Sequence, residues 1–397
     1  MNNTTSTETI VREFEFIKND KEPVLSLIAH KEVYLIVLET ASIKIIDLRT
    51  GKASKVWNNN PKRIKKYKNT LFVTTTKDNK IYSYDLEDLE ALPREYEGCT
   101  KWITDIQVHL FDNKKLKLFA SSADNQCCEW NVPHPSAPNN KAHPPSMVFK
   151  GHTDYVNKIL LADDGTTLYT ASCDKTIRKW NTMNGMQDKE FAGTGHENWV
   201  FSIIYNTNNS KLYSSSKDGT TREWNIKTGI SERIFKIGSP CFDLSLKDNL
   251  LLVIDTNAVT IWSLKSGKRF STLDGHSGKV TCMNTEEDPK LIVTGSKDNS
   301  MRVWEKKGKC TMILRGCEQP INNFVVMGGF IYSASQDGSI RKWTFPRSKD
   351  EKVVQLDPKT KAIVKCQAIM RGHLVRKNLV KKSKSYFIFY FYFVYVL

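Results

Sequence analysis

The sequence lacks the features that direct a protein into or across a membrane. No run of ~20 apolar residues occurs in the 397-residue chain, so we expect no membrane-spanning helix. The first ten residues, MNNTTSTETI, are polar and lack the apolar core of a signal peptide. These absences predict a cytoplasmic protein, with the nucleus as the alternative compartment.

Cysteine is present, but its spacing matches neither a metal-binding nor a redox motif. The count of nine is odd, and no two cysteines have the two-residue separation of a zinc knuckle or a redox motif. Reduced thiols are the simplest interpretation. The sequence also lacks a phosphate-binding loop and a nucleophile motif. We therefore expect no cofactor, no metal and no catalytic residues, and predict that the protein is not an enzyme.

The formal net charge of +16 is concentrated in two places. The stretch 49–68 contains eight Lys and Arg and no acidic residue, and the stretch 347–384 contains twelve against three acidic residues. Localised basic patches favour an acidic partner surface. They also support an alternative function, that of a nucleic-acid-associated factor in RNA processing.

One pattern recurs along the chain: an apolar strand, a small-residue strand leading into Ser-x-Asp or a close variant, and a strand ending in Trp. The Asp precedes the Trp by six residues in five pairs, Asp124/Trp130, Asp174/Trp180, Asp218/Trp224, Asp298/Trp304 and Asp337/Trp343. Weaker copies end at Ile46, Tyr84 and Trp262. The eight copies are 38 to 50 residues apart. Turn residues between short alternating runs predict antiparallel strands.

A Gly-His pair precedes three of the copies, with the His 22 residues before the Asp. The pairs are Gly151-His152, Gly195-His196 and Gly275-His276, and two further copies carry Gly98-Cys99 and Gly316-Cys317. Together these motifs resemble the WD-repeat family, whose unit is a four-stranded propeller blade of about 40–45 residues. The resemblance covers residues 11–345. It implies one all-β propeller of eight four-stranded blades, with seven as the alternative.

The resemblance also implies how the ring closes. In the family, the first strand of the chain often completes the last blade, and the segment Val11–Ile17 is the candidate here. A closed ring leaves no sheet edge exposed.

The repeated polar residues are predicted to brace the blades. A buried Trp needs a partner for its indole N–H, and a fully satisfied network stiffens its surroundings. The predicted sets are His152, Ser172, Asp174, Trp180; His196, Ser216, Asp218, Trp224; and His276, Ser296, Asp298, Trp304. The same residue types form catalytic triads, but a triad occurs once and is open to substrate. Blades with Cys99 or Cys317 in place of His should have truncated networks.

The resemblance assigns a partner-binding face to the central opening. It places there the residues flanking the first apolar position of each inner strand and the residue before the turn Asp. These are Arg63, Lys65, Lys77, Trp102, Tyr155, Trp199, Phe201, Lys217, Lys279 and Lys297. Aromatic anchors beside lysines favour an acidic or phosphorylated peptide. The alternative is that the rings cap the channel and the lysines keep the protein soluble. We predict a non-catalytic scaffold for protein or peptide partners.

The flanking segments have different compositions. We expect residues 1–10 to be a disordered N-terminus, the Pro-rich run 131–146 to be a surface loop and residues 346–360 to be a linker. In residues 361–382, apolar side chains recur at helical spacing between basic residues, which predicts a basic amphipathic α-helix.

Six residues of this helix, Cys366, Gln367, Arg371, Gly372, Arg376 and Leu379, resemble an IQ motif. That family binds calmodulin or calmodulin-like light chains, so a calmodulin-like protein is the implied partner. Cys366 departs from the usual Ile, Leu or Val. The alternative is a solvated helix or one packed on the propeller.

The chain ends in an apolar tail, residues 383–397. Its core, YFIFYFYFVYVL, is too short to span a bilayer, and exposure would make it prone to aggregation. We interpret it as an incidental tail or an artefact of the reading frame.

Overall fold

The computed structural model describes residues 9–11, 15–19, 22–31, 33–58, 60–111, 115–134, 142–191, 195–285 and 291–344. The chain divides into two units, Met1–Pro346 and Arg347–Leu397. The predicted linker (346–360), helix and tail lie outside the described residues.

The strands of the first four blades follow one another along the chain, and each blade is an antiparallel sheet. Blade 1 is β3 (Val24–His30), β4 (Tyr34–Glu39), β5 (Ser42–Asp47) and β6 (Lys52–Asn58); blade 2 is β7 (Pro61–Tyr67), β8 (Thr70–Thr75), β9 (Ile81–Asp85) and β10 (Arg94–Tyr96). Blade 3 is β11 (Ile103–Leu110), β12 (Leu116–Ser122), β13 (Gln126–Val132) and β14 (Met147–Lys150); blade 4 is β15 (Val156–Leu161), β16 (Thr167–Ser172), β17 (Ile177–Asn181) and β18 (Gln187–Phe191).

Blades 5 to 7 have the same order, and blade 8 takes its fourth strand from the start of the chain. Blade 5 is β19 (Val200–Asn206), β20 (Lys211–Ser216), β21 (Thr220–Asn225) and β22 (Ser231–Lys236); blade 6 is β23 (Asp243–Lys247), β24 (Leu250–Ile254), β25 (Val259–Ser263) and β26 (Arg269–Leu273). Blade 7 is β27 (Val280–Asn284), β28 (Leu291–Ser296), β29 (Ser300–Glu305) and β30 (Cys310–Arg315); blade 8 is β31 (Ile321–Met327), β32 (Phe330–Ser335), β33 (Ser339–Thr344) and β2 (Glu15–Asn19).

Eight apolar clusters fill the gaps between neighbouring blades, one cluster per gap. The third strand of each blade contributes an equivalent side chain to the cluster shared with the preceding blade. Those side chains are Ile46, Tyr84, Trp130, Trp180, Trp224, Trp262, Trp304 and Trp343. Because one cluster joins blade 8 to blade 1, the sheets form a closed ring. The prediction of eight blades is confirmed, and the seven-blade alternative is wrong.

The first strands of neighbouring blades contact one another in seven of the eight gaps and therefore line the centre of the ring. In several of these strands, the side chain of the second residue donates a hydrogen bond to the next blade. Asn157 Nδ2 donates to the Val200 carbonyl at 2.8 Å, and Thr281 Oγ1 donates to the Ile321 carbonyl at 2.6 Å. Asn322 Nδ2 donates to the Val24 carbonyl at 2.8 Å across the junction of blades 8 and 1.

Two short strands from the start of the chain occupy separate places. Strand β2 pairs antiparallel with β33 and completes blade 8. Strand β1 (Thr9–Val11) pairs parallel with β30 and adds a fifth strand to blade 7. The sequence analysis expected one closing strand over Val11–Ile17. The structure instead divides this region between two blades, and the closing strand starts four residues later.

The turn between the second and third strands has the same backbone form in several blades. The residue after the turn Asp has a positive φ, 72° at Asn125, 75° at Lys175, 79° at Gly219, 66° at Asn299 and 82° at Gly338. Gly and Asn adopt this left-handed region at low cost, which explains the recurring Asp-Gly and Asp-Asn pairs. Lys175 shows that the blade framework also imposes it on a less suited residue.

Candidate protein-binding face

A chain of hydrogen bonds runs through blade 4 from its buried Trp to its turn. Trp180 Nε1 donates to Thr170 Oγ1 at 2.9 Å, and His152 Nε2 lies 2.6 Å from the same hydroxyl. His152 Nδ1 lies 2.6 Å from the Asp174 carboxylate. With a neutral imidazole carrying its proton on Nδ1, every group in this chain has a donor or an acceptor.

Blades 5 and 7 repeat this chain. His196 is 2.8 Å from Asp218 and 2.7 Å from Ser214, to which Trp224 donates at 2.7 Å. In blade 7 the corresponding three distances, among His276, Asp298, Thr294 and Trp304, are 2.7, 2.8 and 2.8 Å.

The hydroxyl between Trp and His was missed by the sequence analysis. It belongs to Thr170, Ser214 or Thr294, each four residues before the turn Asp. That position is on the central strand beside the Trp, so the spacing could have revealed it.

The predicted serines do not contact the Trp, which corrects their assignment. The Oγ atoms of Ser172, Ser216 and Ser296 donate instead to the carbonyls of Asp154, Asn198 and Gly278, at 3.0 Å in each case. Each serine also accepts the backbone N–H of the turn Asp, at 3.0 or 3.1 Å. These serines end the second strand, where they hold the turn against the loop that carries the Gly-His pair.

The electrostatics of these networks match a bracing role. Burial opposes ionisation of Asp218, but hydrogen bonds from His196 and Thr220 outweigh it and hold the pKa of Asp218 well below its usual range. The pKa values of Asp174 and Asp298 are lowered for the same reasons. Burial also lowers the pKa of His196, which favours the neutral imidazole. The three histidines are 3 to 7% exposed, so they cannot approach a substrate.

Blades 3 and 8 replace the His and rearrange the network. In blade 3, Ala120 has the strand register of Thr170, and Trp130 Nε1 donates to the Glu97 carbonyl at 2.9 Å. In blade 8, Trp343 Nε1 donates to Ser333 at 3.0 Å, and the buried Arg341 guanidinium binds Asp337 at 3.1 Å. An arginine therefore replaces the imidazole as the partner of the carboxylate.

The inner strands begin at the same face of the ring as the turns that follow the second strands. The backbone N–H of Lys217 donates to the Trp199 carbonyl at 2.9 Å, and that of Lys297 donates to the Lys279 carbonyl at 2.8 Å. The start of each inner strand and the residue before the turn Asp are thus neighbours. We call this side of the propeller the top face.

The first half of an exposed aromatic surface on the top face spans blades 2 to 4. Trp102 is 40% exposed, and its ring packs edge-on against Tyr155 at 5.4 Å between centroids. Lys62 Nζ lies 5.2 Å from the Trp102 ring, and Lys101 Nζ lies 5.5 Å from the Tyr155 ring.

The second half spans blades 5 to 7. Trp199 is 41% exposed, with Lys217 Nζ 4.0 Å from its ring centroid. Phe201 packs edge-on against Trp199 at 6.3 Å and stacks on Phe242 of blade 6 at 5.4 Å. Lys279 Nζ lies 3.2 Å from the Phe242 ring centroid. We call the two halves together the aromatic–lysine row.

The structure brings together most of the residues assigned to the partner-binding face. Trp102 contacts Tyr155, Trp199 contacts Phe201, and Lys217 and Lys279 lie over aromatic rings of the row. Lys297 is exposed beside Lys279, and Lys77 is exposed in the turn of blade 2. Three members of the row, Lys62, Lys101 and Phe242, were missed by the sequence analysis.

The register of blade 2 corrects the positions of Arg63 and Lys65. The first residue of the inner strand before its β-bulge is Pro61, which corresponds to Val156 in blade 4. The residue after it is Lys62, so Lys62 occupies the top-face position. Arg63 and Lys65 are also exposed, but they lie further along β7. In the sequence, Pro61 and Ile64 both fit the first apolar position of the strand, and the predicted positions followed from Ile64.

The predictions of an IQ-like helix, of no metal site and of no membrane span concern other parts of the chain. The IQ-like residues Cys366, Gln367, Arg371, Gly372, Arg376 and Leu379 lie outside them. Within the described ranges, no group of three or more His, Cys, Asp or Glu side chains is placed to hold a metal ion. The same ranges contain no helix with the length and hydropathy of a bilayer span.

Comparison with protein families gives two matches. The family described as WD domain, G-beta repeat matches residues 144–181, 189–225 and 267–305. The IQ calmodulin-binding motif matches residues 360–380. With eight four-stranded blades and these repeats, the molecule is a WD-repeat β-propeller.

Relatives of known sequence support this classification. The small ribosomal subunit protein RACK1 of Caenorhabditis elegans is 34% identical over 235 residues, which are 55% of this chain and 70% of that protein. The mouse kinesin-like protein KIF21B is 32% identical over 114 residues, 25% of this chain and only 7% of that protein. The chain belongs to the WD-repeat family.

A solved structure shares the fold. The crystal structure of the computationally designed Ika8 protein superimposes with a TM-score of 0.68 at 18% identity, over 85% of this chain and all of that chain. At this identity the likeness concerns the fold alone.

Proposed function

We propose that the protein is a non-catalytic scaffold that binds a protein or peptide partner on the top face of its propeller. The observation that carries the proposal is the exposure of Trp102 and Trp199, each at least 40% accessible, within two groups of rings and lysines on that face. Large aromatic side chains are common energetic anchors of interfaces, and a monomer gains little by exposing them.

The charge of the row supports an acidic partner surface. No ion pair among the described residues involves Lys62, Lys101, Lys217, Lys279 or Lys297. Their charges are therefore available to a ligand. Complementary charge raises association rates and excludes partners of the same sign.

The C-terminal segment supports a second interaction, with calmodulin or a calmodulin-like protein. The support is the match of residues 360–380 to the IQ motif. An amphipathic basic helix presents an apolar stripe to a hydrophobic groove and its Arg side chains to acidic rims. A cytoplasmic location fits both interactions and is part of the proposal.

The top-face interaction is tested by affinity capture and quantitative mass spectrometry. The full chain is compared with Trp102→Ala and Trp199→Ala variants, which should lose a shared set of partners while keeping the thermal midpoint. A matched control is Phe270→Ala, because Phe270 is 48% exposed on the outer strand of blade 6. If both top-face variants keep every partner that the wild type captures, the assignment of the face is wrong.

The calmodulin interaction is tested by titrating calmodulin into the full chain with and without calcium. A variant with Arg371→Ala and Arg376→Ala should lose binding. A variant with Lys381→Ala and Lys382→Ala removes the same charge outside residues 360–380 and should retain it. Absence of wild-type binding in both conditions would remove this part of the function.

A further inference from the structure

Blades 5 to 7 hold a compact group of three lysines and three rings on the top face. Lys217 lies over Trp199, and Lys279 lies over Phe242, which stacks on Phe201. Lys297 adjoins Lys279 through the bond from its own N–H to the Lys279 carbonyl. We call this group the blade 5–7 cluster.

We propose that the blade 5–7 cluster binds a phosphorylated side chain of a peptide ligand, an inference that rests on the top-face function proposed above. Its basis is that Lys217 of blade 5 and Lys279 of blade 7 lie over rings of blades 5 and 6, with Lys297 adjoining Lys279. A phosphate dianion offers three acceptor oxygens and up to two negative charges, which one carboxylate cannot supply.

Lys279 and Lys297 lie close together, and neither has an acidic partner among the described residues. Burial against the Phe242 ring and repulsion from Lys297 lower the pKa of Lys279. Bringing two ammonium groups together on a half-buried surface costs free energy, and a bound dianion would reverse the sign of that interaction.

The acidic residues of blade 6 are engaged elsewhere. Asp243 Oδ1 accepts hydrogen bonds from Ser202 Oγ at 2.8 Å and from its neighbour's N–H, that of Leu244, at 2.9 Å. Asp255 caps its own turn by accepting the N–H groups of Asn257 and Ala258 at 3.2 and 2.9 Å. Neither carboxylate pairs with a lysine of the cluster, so a ligand phosphate meets no bound counter-ion there.

The rings give the cluster its shape. Phe242 has Lys279 over its ring and Phe201 stacked on it, and it is half-buried. Trp199 retains an exposed surface of 41%. The peptide is therefore expected to lay its backbone or an apolar neighbour on Trp199 while the phosphate reaches Lys279 and Lys297.

The test uses the full chain immobilised at about 150 mM salt, where weak long-range attraction is screened. Three degenerate nine-residue peptide libraries are passed over it, with phosphoserine, serine or glutamate at the centre. We expect the phosphoserine library to be retained about tenfold more than either of the others, the gain typical of one or two charge-assisted hydrogen bonds.

Two variants with the same net charge locate the binding. Lys279→Gln with Lys297→Gln should abolish the phosphate preference. Lys265→Gln with Lys268→Gln should preserve it, because those exposed lysines lie at the turn before the outer strand of blade 6, at the opposite end of the blade.

Three results would overturn the inference. Equal retention of the glutamate library would show that phosphate is not recognised as such. An equal loss in both lysine variants would indicate unspecific attraction. Failure of every library, with partner capture still dependent on Trp102 and Trp199, would refute phosphate binding and leave the scaffold function standing.

Discussion

At the scale of the residue, the buried networks explain why His, Asp and Trp recur together in three blades. The hydroxyl of Thr170, Ser214 or Thr294 satisfies the indole N–H on one side and the imidazole on the other. Blade 3 carries neither element, having Cys99 for the His and Ala120 for the hydroxyl residue. Blade 8 has Cys317 for the His but keeps the hydroxyl of Ser333, which accepts the indole N–H of Trp343, so this hydroxyl can satisfy the Trp without an imidazole.

Removing the linking hydroxyl should destabilise blade 4. A Thr170→Val substitution keeps the shape of the side chain but leaves Trp180 Nε1 and His152 Nε2 without their partner. We expect the free energy of unfolding to fall by about 2 kcal/mol. Urea denaturation followed by Trp fluorescence measures it.

The control is Thr153→Val, an exposed residue one position after His152, which should change the free energy of unfolding by less than about 0.5 kcal/mol. Equal effects from the two substitutions would show that the hydroxyl does not link the network.

The lowered pKa of Asp218 gives blade 5 a specific dependence on pH. A carboxyl whose folded pKa is below its ordinary value of 3.8 stabilises the fold fully above that value and loses the contribution as the pH falls through the folded pKa. The stability difference between wild type and Asp218→Asn should therefore be full at pH 6 and decrease below pH 3.8.

Urea midpoints of both proteins, measured from pH 6 down to pH 3, test this expectation. A difference that stays constant over that range would mean that the carboxylate is not preferentially ionised in the folded blade.

The sequence predicted the His–Asp pairs because a fixed separation of 22 residues recurs in all three. It did not predict their geometry: the linking hydroxyl has a fixed position four residues before the turn Asp, but the Ser two residues before the same Asp offers an equivalent hydroxyl in the sequence. In blade 2, Pro61 and Ile64 both fit the apolar start of an inner strand, so spacing alone could not exclude the alignment through Arg63.

At the scale of the element, the side chain of the second residue in the inner strand contacts the next blade in several places. Asn157 and Asn322 do this by hydrogen bonds, whereas Phe201 and Lys62 do it by ring contacts. The same position therefore contributes to the closure of the ring in some blades and to the exposed aromatic–lysine row in others.

The strand that completes blade 8 should determine how that blade opens. Deletion of residues 1–20 removes β2 and leaves β33 without its outer neighbour. We expect the thermal midpoint to fall by about 5 °C or more. Amide exchange should accelerate first in Ser339–Thr344, because its hydrogen bonds become exposed.

Deletion of residues 1–8 leaves both β1 and β2 in place and serves as the control. Unchanged exchange in blade 8 after the longer deletion would contradict the closure by β2.

The sequence predicted that an N-terminal strand closes the ring, but not where the strand starts. The segment VREFEFI reads as one alternating strand. The structure uses Thr9–Val11 in blade 7 and Glu15–Asn19 in blade 8. A period of two residues cannot reveal that a short segment pairs with two different sheets.

At the scale of the whole molecule, eight inter-blade clusters make a ring whose interior is apolar and whose top face is aromatic and basic. Blades 1, 2 and 6 have no His at the position of His152, yet Ile46, Tyr84 and Trp262 fill the position of the Trp in their clusters. The ring is thus stabilised by apolar packing in every gap, and the polar networks add to it in three blades. Counting repeat ends was enough to predict eight blades, because each end supplies one such side chain.

The position of a bound partner tests the central claim most directly. Hydrogen–deuterium exchange on the full chain, with and without a partner obtained by affinity capture, maps the contact surface. We expect protection at the top face around Lys101–Ile103, Trp199 and Lys279. Protection confined to the opposite turns, such as those at Met183 or Lys265, would contradict the account.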